Sequence, residues 1–126
     1  MKQLVPVLFL ALGLAGCSSL GEDLRDGRTG TVERGLASYY ANKYQGRTTA
    51  NGERFDQNAM TAAHKTLPFN TRVRVTNVDT GKSIVVRIND RGPFVSGRII
   101  DLSRRGFGQL GNLNAGLVEV TMEVLP

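Results

Sequence analysis

Among the side chains that could donate, accept or steer a proton, three stand out by their placement: Glu53, His64 and Asp90. Asp90 carries the argument furthest. It follows Ile84-Val85-Val86-Arg87-Ile88-Asn89, which alternates like a strand, and Gly92-Pro93 then stops further ladder pairing. A strand fixes a carboxylate at its end while the next loop leaves it facing a groove, a good position for a general acid or base. The same position also suits a turn aspartate bonded to its own backbone. Arg91 comes next, but successive strand residues face opposite sides, so it need not neutralise Asp90.

Glu53 lies in a glycine-flanked polar loop, residues 46–55, within the irregular stretch 41–57. A loop of this length in a small domain is functional or disordered, and its Tyr and Asn content suits a sugar-binding surface. Tyr39, Tyr40, Thr49, Asn51 and Arg91 are the candidate substrate contacts. His64 is the one histidine. With no Cys or His partners it predicts no metal site. It is either a satisfied structural group or one that orients a carboxylate or a sugar hydroxyl. No cofactor is expected, since no glycine-rich phosphate loop precedes a helix, and there is no serine or cysteine nucleophile motif.

The elements that must position these groups are mostly strands. Residues 36–40 read as a first strand. Residues 71–77 and 82–89 alternate cleanly around Asp79-Thr80-Gly81 and predict a hairpin. Residues 98–102 form a short strand, after which Ser103 can cap a brief helix that Gly106 and Gly108 weaken. Residues 117–124 close the chain as a strand with Val118, Val120, Met122 and Val124 on one face. The expected fold class is therefore mainly β, about six strands with one or two short helices, in a single domain over residues 35–126. Closure into a barrel would remove exposed edges from so small a core.

The first sixteen residues have the layout of a secretory signal: Lys2, then an apolar run broken only by Pro6 and too short for a stable membrane anchor. Leu14-Ala15-Gly16-Cys17 resembles the lipobox of bacterial lipoproteins, with Cys17 as the lipidated residue. It is the single cysteine, so an internal disulfide is impossible. Ser18, where an aspartate would signal inner-membrane retention, favours the outer membrane. Residues 17–34 then read as the lipidated N-terminus and a flexible tether, mixed in charge and without apolar periodicity.

Residues 35–126 hold twelve Lys/Arg against seven Asp/Glu, a net of +5, while residues 18–34 hold three against four. Export argues against nucleic acid as the partner of this basic domain. The envelope polyanions are peptidoglycan, with its lactyl and stem-peptide carboxylates, and lipid headgroups. A basic groove would concentrate such a strand.

Taken together, Gly35-Leu36-Ala37-Ser38-Tyr39-Tyr40, residues 46–55, Thr61-Ala62-Ala63-His64-Lys65-Thr66-Leu67-Pro68-Phe69, Val73-Arg74-Val75-Thr76-Asn77, Asn89-Asp90-Arg91-Gly92-Pro93-Phe94 and Ile100-Asp101-Leu102-Ser103 resemble the rare lipoprotein A family, in order over residues 35–126. The resemblance implies a six-stranded double-psi β-barrel akin to those of expansins. It also implies a lytic transglycosylase acting on peptide-poor glycan strands; with the address read from Ser18, the expected protein is a monomer on the periplasmic face of the outer membrane. The family's important acidic and imidazole positions fall on Glu53, His64 and Asp90. Asp90 would serve as the acid and then the base, with Glu53 and His64 holding the sugar. A water-using hydrolase and an expansin-like binding module that cuts nothing are the alternatives.

The sequence departs from the family pattern at three places. Ser38-Tyr39-Tyr40-Ala41-Asn42 replaces a tryptophan-glycine flavour, and Arg104-Arg105-Gly106 replaces a small apolar helix. The SPOR domain of many members has no counterpart, so septal targeting by that route is not expected.

Overall fold

A computed structural model describes residues 29–126. The expected signal segment and the expected lipidation at Cys17 lie outside the described residues.

Six strands close into one barrel: β1 (Val32–Tyr39), β2 (Thr61–Ala63), β3 (Arg72–Asn77), β4 (Ser83–Asp90), β5 (Arg98–Leu102) and β6 (Val118–Val124), ordered β1-β5-β2-β4-β3-β6. One helix, α1 (Arg104–Leu110), packs on the barrel, and 3-10 turns occupy Asn42–Tyr44 and Leu113–Ala115. Two pairs, β1 with β5 and β2 with β4, run parallel, and the remaining neighbours are antiparallel. This is the double-psi arrangement that the resemblance implied.

Alternation explains the hairpin. Val73 and Val75 of β3 face inward with Ile84, Val86 and Ile88 of β4, and the antiparallel register pairs Val73 with Val86 and Val75 with Ile84. Val120, Met122 and Val124 of β6, Ile100 and Leu102 of β5, and Phe107 and Leu110 of α1 complete the core. Ser103 caps α1 by accepting from the Gly106 N–H, as expected.

The first strand differs from expectation. It begins at Val32, because residues 32–37 pair antiparallel with β6, from Val32 opposite Glu123 to Ala37 opposite Val118. The end of the expected tether is thus ladder. Val32, Glu33 and Arg34 remain exposed, so they carry no alternation that a sequence reading could detect. Strand β2 left no periodic trace either. It has three residues, all buried.

Each parallel pair carries a bulge next to the groove described below. Ala62 lies opposite Ile88 and Ala63 opposite Asp90, so Asn89 is the extra residue on β4; Leu36 and Ala37 lie opposite Arg98 and Ile100, so Ile99 is extra on β5. Such irregularities re-aim side chains at barrel rims. Close approach at the second bulge requires Gly35, where a Cβ would meet Ile99 Cγ2 at 2.6 Å.

Candidate active site

Asp90 ends β4, where the bulge at Asn89 has shifted the register, and Gly92 then takes a positive φ of 122° that side chains other than hydrogen rarely allow. The Asp90 carboxylate accepts three hydrogen bonds: from Tyr40 Oη on Oδ2 at 2.6 Å, and from the Ala50 and Arg91 amides on Oδ1 at 2.8 and 2.9 Å. Tyr40 stacks on Phe55 with centroids 4.1 Å apart. Burial first, and the bond to Asp90 second, push the Tyr40 phenol well above its ordinary value of 10, so it remains a donor.

A groove of about 450 Å³ opens over this carboxylate. Its floor also carries Asp101, a residue that sequence reasoning quoted only within a motif. Ala63 of β2 pairs with Asp90 on one side and Asp101 on the other, so one alanine separates the two aspartates. Two strand spacings place their Cα atoms about 9.5 Å apart. The Ser38 hydroxyl donates to Asp101 Oδ1. Among the described residues neither aspartate forms an ion pair. Tyr44, Arg47 and Thr49 border the groove from one loop, and Phe94, Val95 and Arg98 from the segment after Asp90.

Glu53 is not among the groove-lining residues. Arg87 grips it bidentately, Nη1 to Oε2 at 2.7 Å and Nη2 to Oε1 at 3.0 Å, and the Asn89 and Asn51 amides each donate at 3.1 Å. Arg87 above all, then Asn89, hold the Glu53 carboxyl down at about 2, against an ordinary 4.5. Bonding to Glu53 likewise lifts the Arg87 guanidinium. This cluster staples the loop of residues 48–54 to the outer side of β4. The staple is what brings the Ala50 amide to Asp90.

His64 is not among the residues that line this groove. Its Nδ1 accepts from the Thr66 and Leu67 amides, both at 3.1 Å, and Nε2 meets Glu33 Oε1 at 3.0 Å. Two donors on Nδ1 place the ring proton on Nε2. The imidazole therefore closes the turn after β2, and His64 meets the site through its backbone: its N–H donates to the Asp90 carbonyl oxygen at 3.2 Å, and its carbonyl oxygen accepts from Arg91 Nη1 at 3.3 Å.

The remaining candidates divide. Tyr40 and Thr49 line the groove, although the Thr49 hydroxyl donates to Asn51 Oδ1 at 2.6 Å. Tyr39 also lines it, but its ring packs against Phe107 at 4.7 Å and its hydroxyl donates to the Leu113 carbonyl oxygen. Asn51 braces the loop through Thr49 and Glu53 and is not a lining residue. Arg91 borders the groove, but its guanidinium lies over the Phe69 ring at 4.1 Å and donates to the His64 carbonyl oxygen.

A family model described as lytic transglycolase matches residues 32–122. The chain belongs to this family. Among curated relatives, the endolytic peptidoglycan transglycosylase RlpA of Vibrio cholerae is 54% identical over 96 residues, covering 76% of this chain and 36% of the relative. The RlpA of Pseudomonas aeruginosa is 55% identical over 89 residues, covering 71% and 26%. The chain thus spans about a third or less of the length of these relatives. Among solved structures, a Streptomyces papain inhibitor aligns with a TM-score of 0.64 at 25% identity over 78% of this chain and 97% of its own. A Clavibacter michiganensis expansin in complex with cellohexaose aligns with a TM-score of 0.60 at 23% identity, covering 75% and 50%. These likenesses support the double-psi barrel. For this member of the lytic transglycolase family, one signal could have exposed Asp101: it is the polar residue inside Ile99-Ile100-Asp101-Leu102, where a plain buried strand would carry another apolar side chain.

Proposed function

We propose that the chain is an endolytic peptidoglycan transglycosylase that cuts between N-acetylmuramic acid and N-acetylglucosamine and leaves a 1,6-anhydro end. The observation that carries this reading is the pair Asp90 and Asp101, neither in an ion pair among the described residues, one alanine apart on the floor of a single groove. The names of relatives 54–55% identical over the barrel support it.

In this mechanism protonated Asp90 gives its proton to the glycosidic oxygen. The bond from muramic C1 to that oxygen breaks with its electron pair on oxygen, and the C6 hydroxyl closes on C1 while returning its proton to Asp90. No water is consumed. The Tyr40 hydroxyl and the two amides hold Asp90 in place through both transfers. Asp101, across Ala63, stabilises the oxocarbenium-like centre as a carboxylate. Glu53 and His64 act as positioning residues.

The Leu14-Ala15-Gly16-Cys17 motif supports export, lipidation at Cys17 and an outer-membrane address facing the periplasm. A barrel closed on itself offers no free strand edge, which supports a monomer.

The test is digestion of peptide-free glycan strands by residues 29–126, which contain all six strands and the core, beside Asp90→Asn, with products read by mass spectrometry. Anhydro ends from the parent chain and none from the variant are expected. Ordinary reducing ends would mean a hydrolase. Intact strands with folded, strand-bound protein would mean a binding module.

A further inference from the structure

Two guanidinium groups bordering the groove have no anionic partner among the described residues. Arg47 stands exposed on the loop side, 5.4 Å from the centre of the Tyr44 ring, and Arg98 opens β5 on the other bordering segment. The ion pairs among the described residues use Arg34, His64, Arg74 and Arg87, so neither Arg47 nor Arg98 holds a carboxylate. The third arginine at the groove, Arg91, is engaged with Phe69 and the His64 carbonyl oxygen. A guanidinium presents a planar fork that matches a carboxylate. Two such forks left open beside a substrate groove call for anions on the substrate.

We propose that Arg47 and Arg98 read the free lactyl carboxylates of N-acetylmuramic acid and are the residues through which the groove would favour the peptide-poor strands that the resemblance implies. This rests on the transglycosylase reading for its substrate and adds the residues that discriminate between strands. While a stem peptide is attached, the lactyl carboxyl is an amide and carries no charge. Removing the peptide restores a carboxylate on every second sugar, and the N-acetylated glycan backbone has no other ionised group. The placement of Arg98 lets ring and charge be recognised together. Its amide donates to the Val95 carbonyl oxygen at 3.1 Å, which ties it to the turn bearing Phe94, an aromatic ring 80% exposed at the groove.

The test compares peptide-free strands with the same strands after their lactyl carboxyls are converted to methylamides. Binding is measured by fluorescence anisotropy with residues 29–126 carrying Asp90→Asn, so that cleavage does not intervene. The free-acid strands should bind about tenfold tighter or more, in line with one or two charge-assisted pairs, and added salt should narrow the gap. Adding Arg47→Gln and Arg98→Gln together should bring the two preparations within about twofold, whereas lysine at both positions should keep part of the gap. Unchanged circular dichroism establishes that these substitutions, at exposed Arg47 and half-buried Arg98, leave the barrel folded. Equal affinity of the unsubstituted groove for both preparations, or a gap that survives the double glutamine substitution, overturns the assignment. A gap that behaves as expected in a chain that never cuts a strand supports the arginine assignment and removes the enzymatic reading instead.

Discussion

Glu53 and Asp90 are joined through one loop, yet their surroundings are opposite. Glu53 meets a guanidinium and two side-chain amides, and its charge is balanced at the surface of β4. Asp90 meets a phenol and two backbone amides, faces a groove, and has a second aspartate across Ala63. A carboxylate balanced by arginine is well made for holding chain segments together and poorly made for moving protons, because its partner opposes protonation. A carboxylate held by neutral donors is fixed in direction and faces the groove with no cation among the described residues bound to it. The loop links the two: the Glu53 staple sets where the Ala50 amide meets Asp90.

The largest effect that can break this contrast is on Asp90. Replacing it with asparagine keeps the shape and removes the proton, so cleavage of peptide-free strands should fall about 10²–10⁴-fold, the usual contribution of a general acid or base. Release of anhydro ends per unit time measures it. A loss of only a few-fold would return Asp90 to the ordinary turn aspartates.

Asp101→Asn should cost about 10²-fold, the scale of a lost electrostatic partner in a transition state. The two variants separate on an aryl glycoside of the same sugar, whose leaving group needs no protonation. Asp90→Asn should recover there the part of its loss that belongs to protonation of the leaving oxygen, keeping the part that belongs to the C6 hydroxyl, and Asp101→Asn should recover none. The opposite pattern would exchange the roles of the two aspartates.

His64→Ala tests the division from the other side. It takes the acceptor away from the Thr66 and Leu67 amides, the latter buried, and should lower unfolding stability by about 2–4 kcal/mol. His64→Asn, which supplies an acceptor oxygen, should restore part of this. Chemical denaturation gives the stabilities. Activity per folded molecule should fall far less than in Asp90→Asn, and an equal fall would bring the imidazole into the chemistry.

How much of this was legible follows the reach of local patterns. The hairpin β3–β4, strand β6 and the Ser103 cap were readable because their residues alternate or cap over a few positions. Asp90 was readable from its strand end and the Gly92-Pro93 that follows. The role of Glu53 was not, because it is set by Arg87, 34 positions away; that of His64 was not, because it rests on backbone amides of Thr66 and Leu67, which residue types do not announce, and on Glu33, 31 positions away. Asp101 was hidden for the same reason. It reaches Asp90 only through Ala63, in a three-residue strand that has no period to detect.

The smallest expected effect sharpens the contrast most cleanly, because it depends on pH. The Glu53 carboxyl lies at about 2 in the folded chain against an ordinary 4.5, so its contribution is complete above about 4.5 and is lost as pH falls toward 2. Glu53→Gln removes that contribution at every pH. With the side chain 39% exposed, solvent screens the pair, and the loss at pH 7 should be at most about 1 kcal/mol. The stability gap between the parent chain and the variant should therefore be flat from pH 7 down to about 4.5 and close below it, as denaturant titrations across that range would show. The substitution also loosens the loop that carries the Ala50 amide, so the cleavage rate should fall in the same variant while the affinity for glycan changes little. A gap that persists at pH 2 would mean that the Glu53 charge is not what holds the loop, and the distinction between a stapling and a reacting carboxylate would have to rest on Asp90 alone.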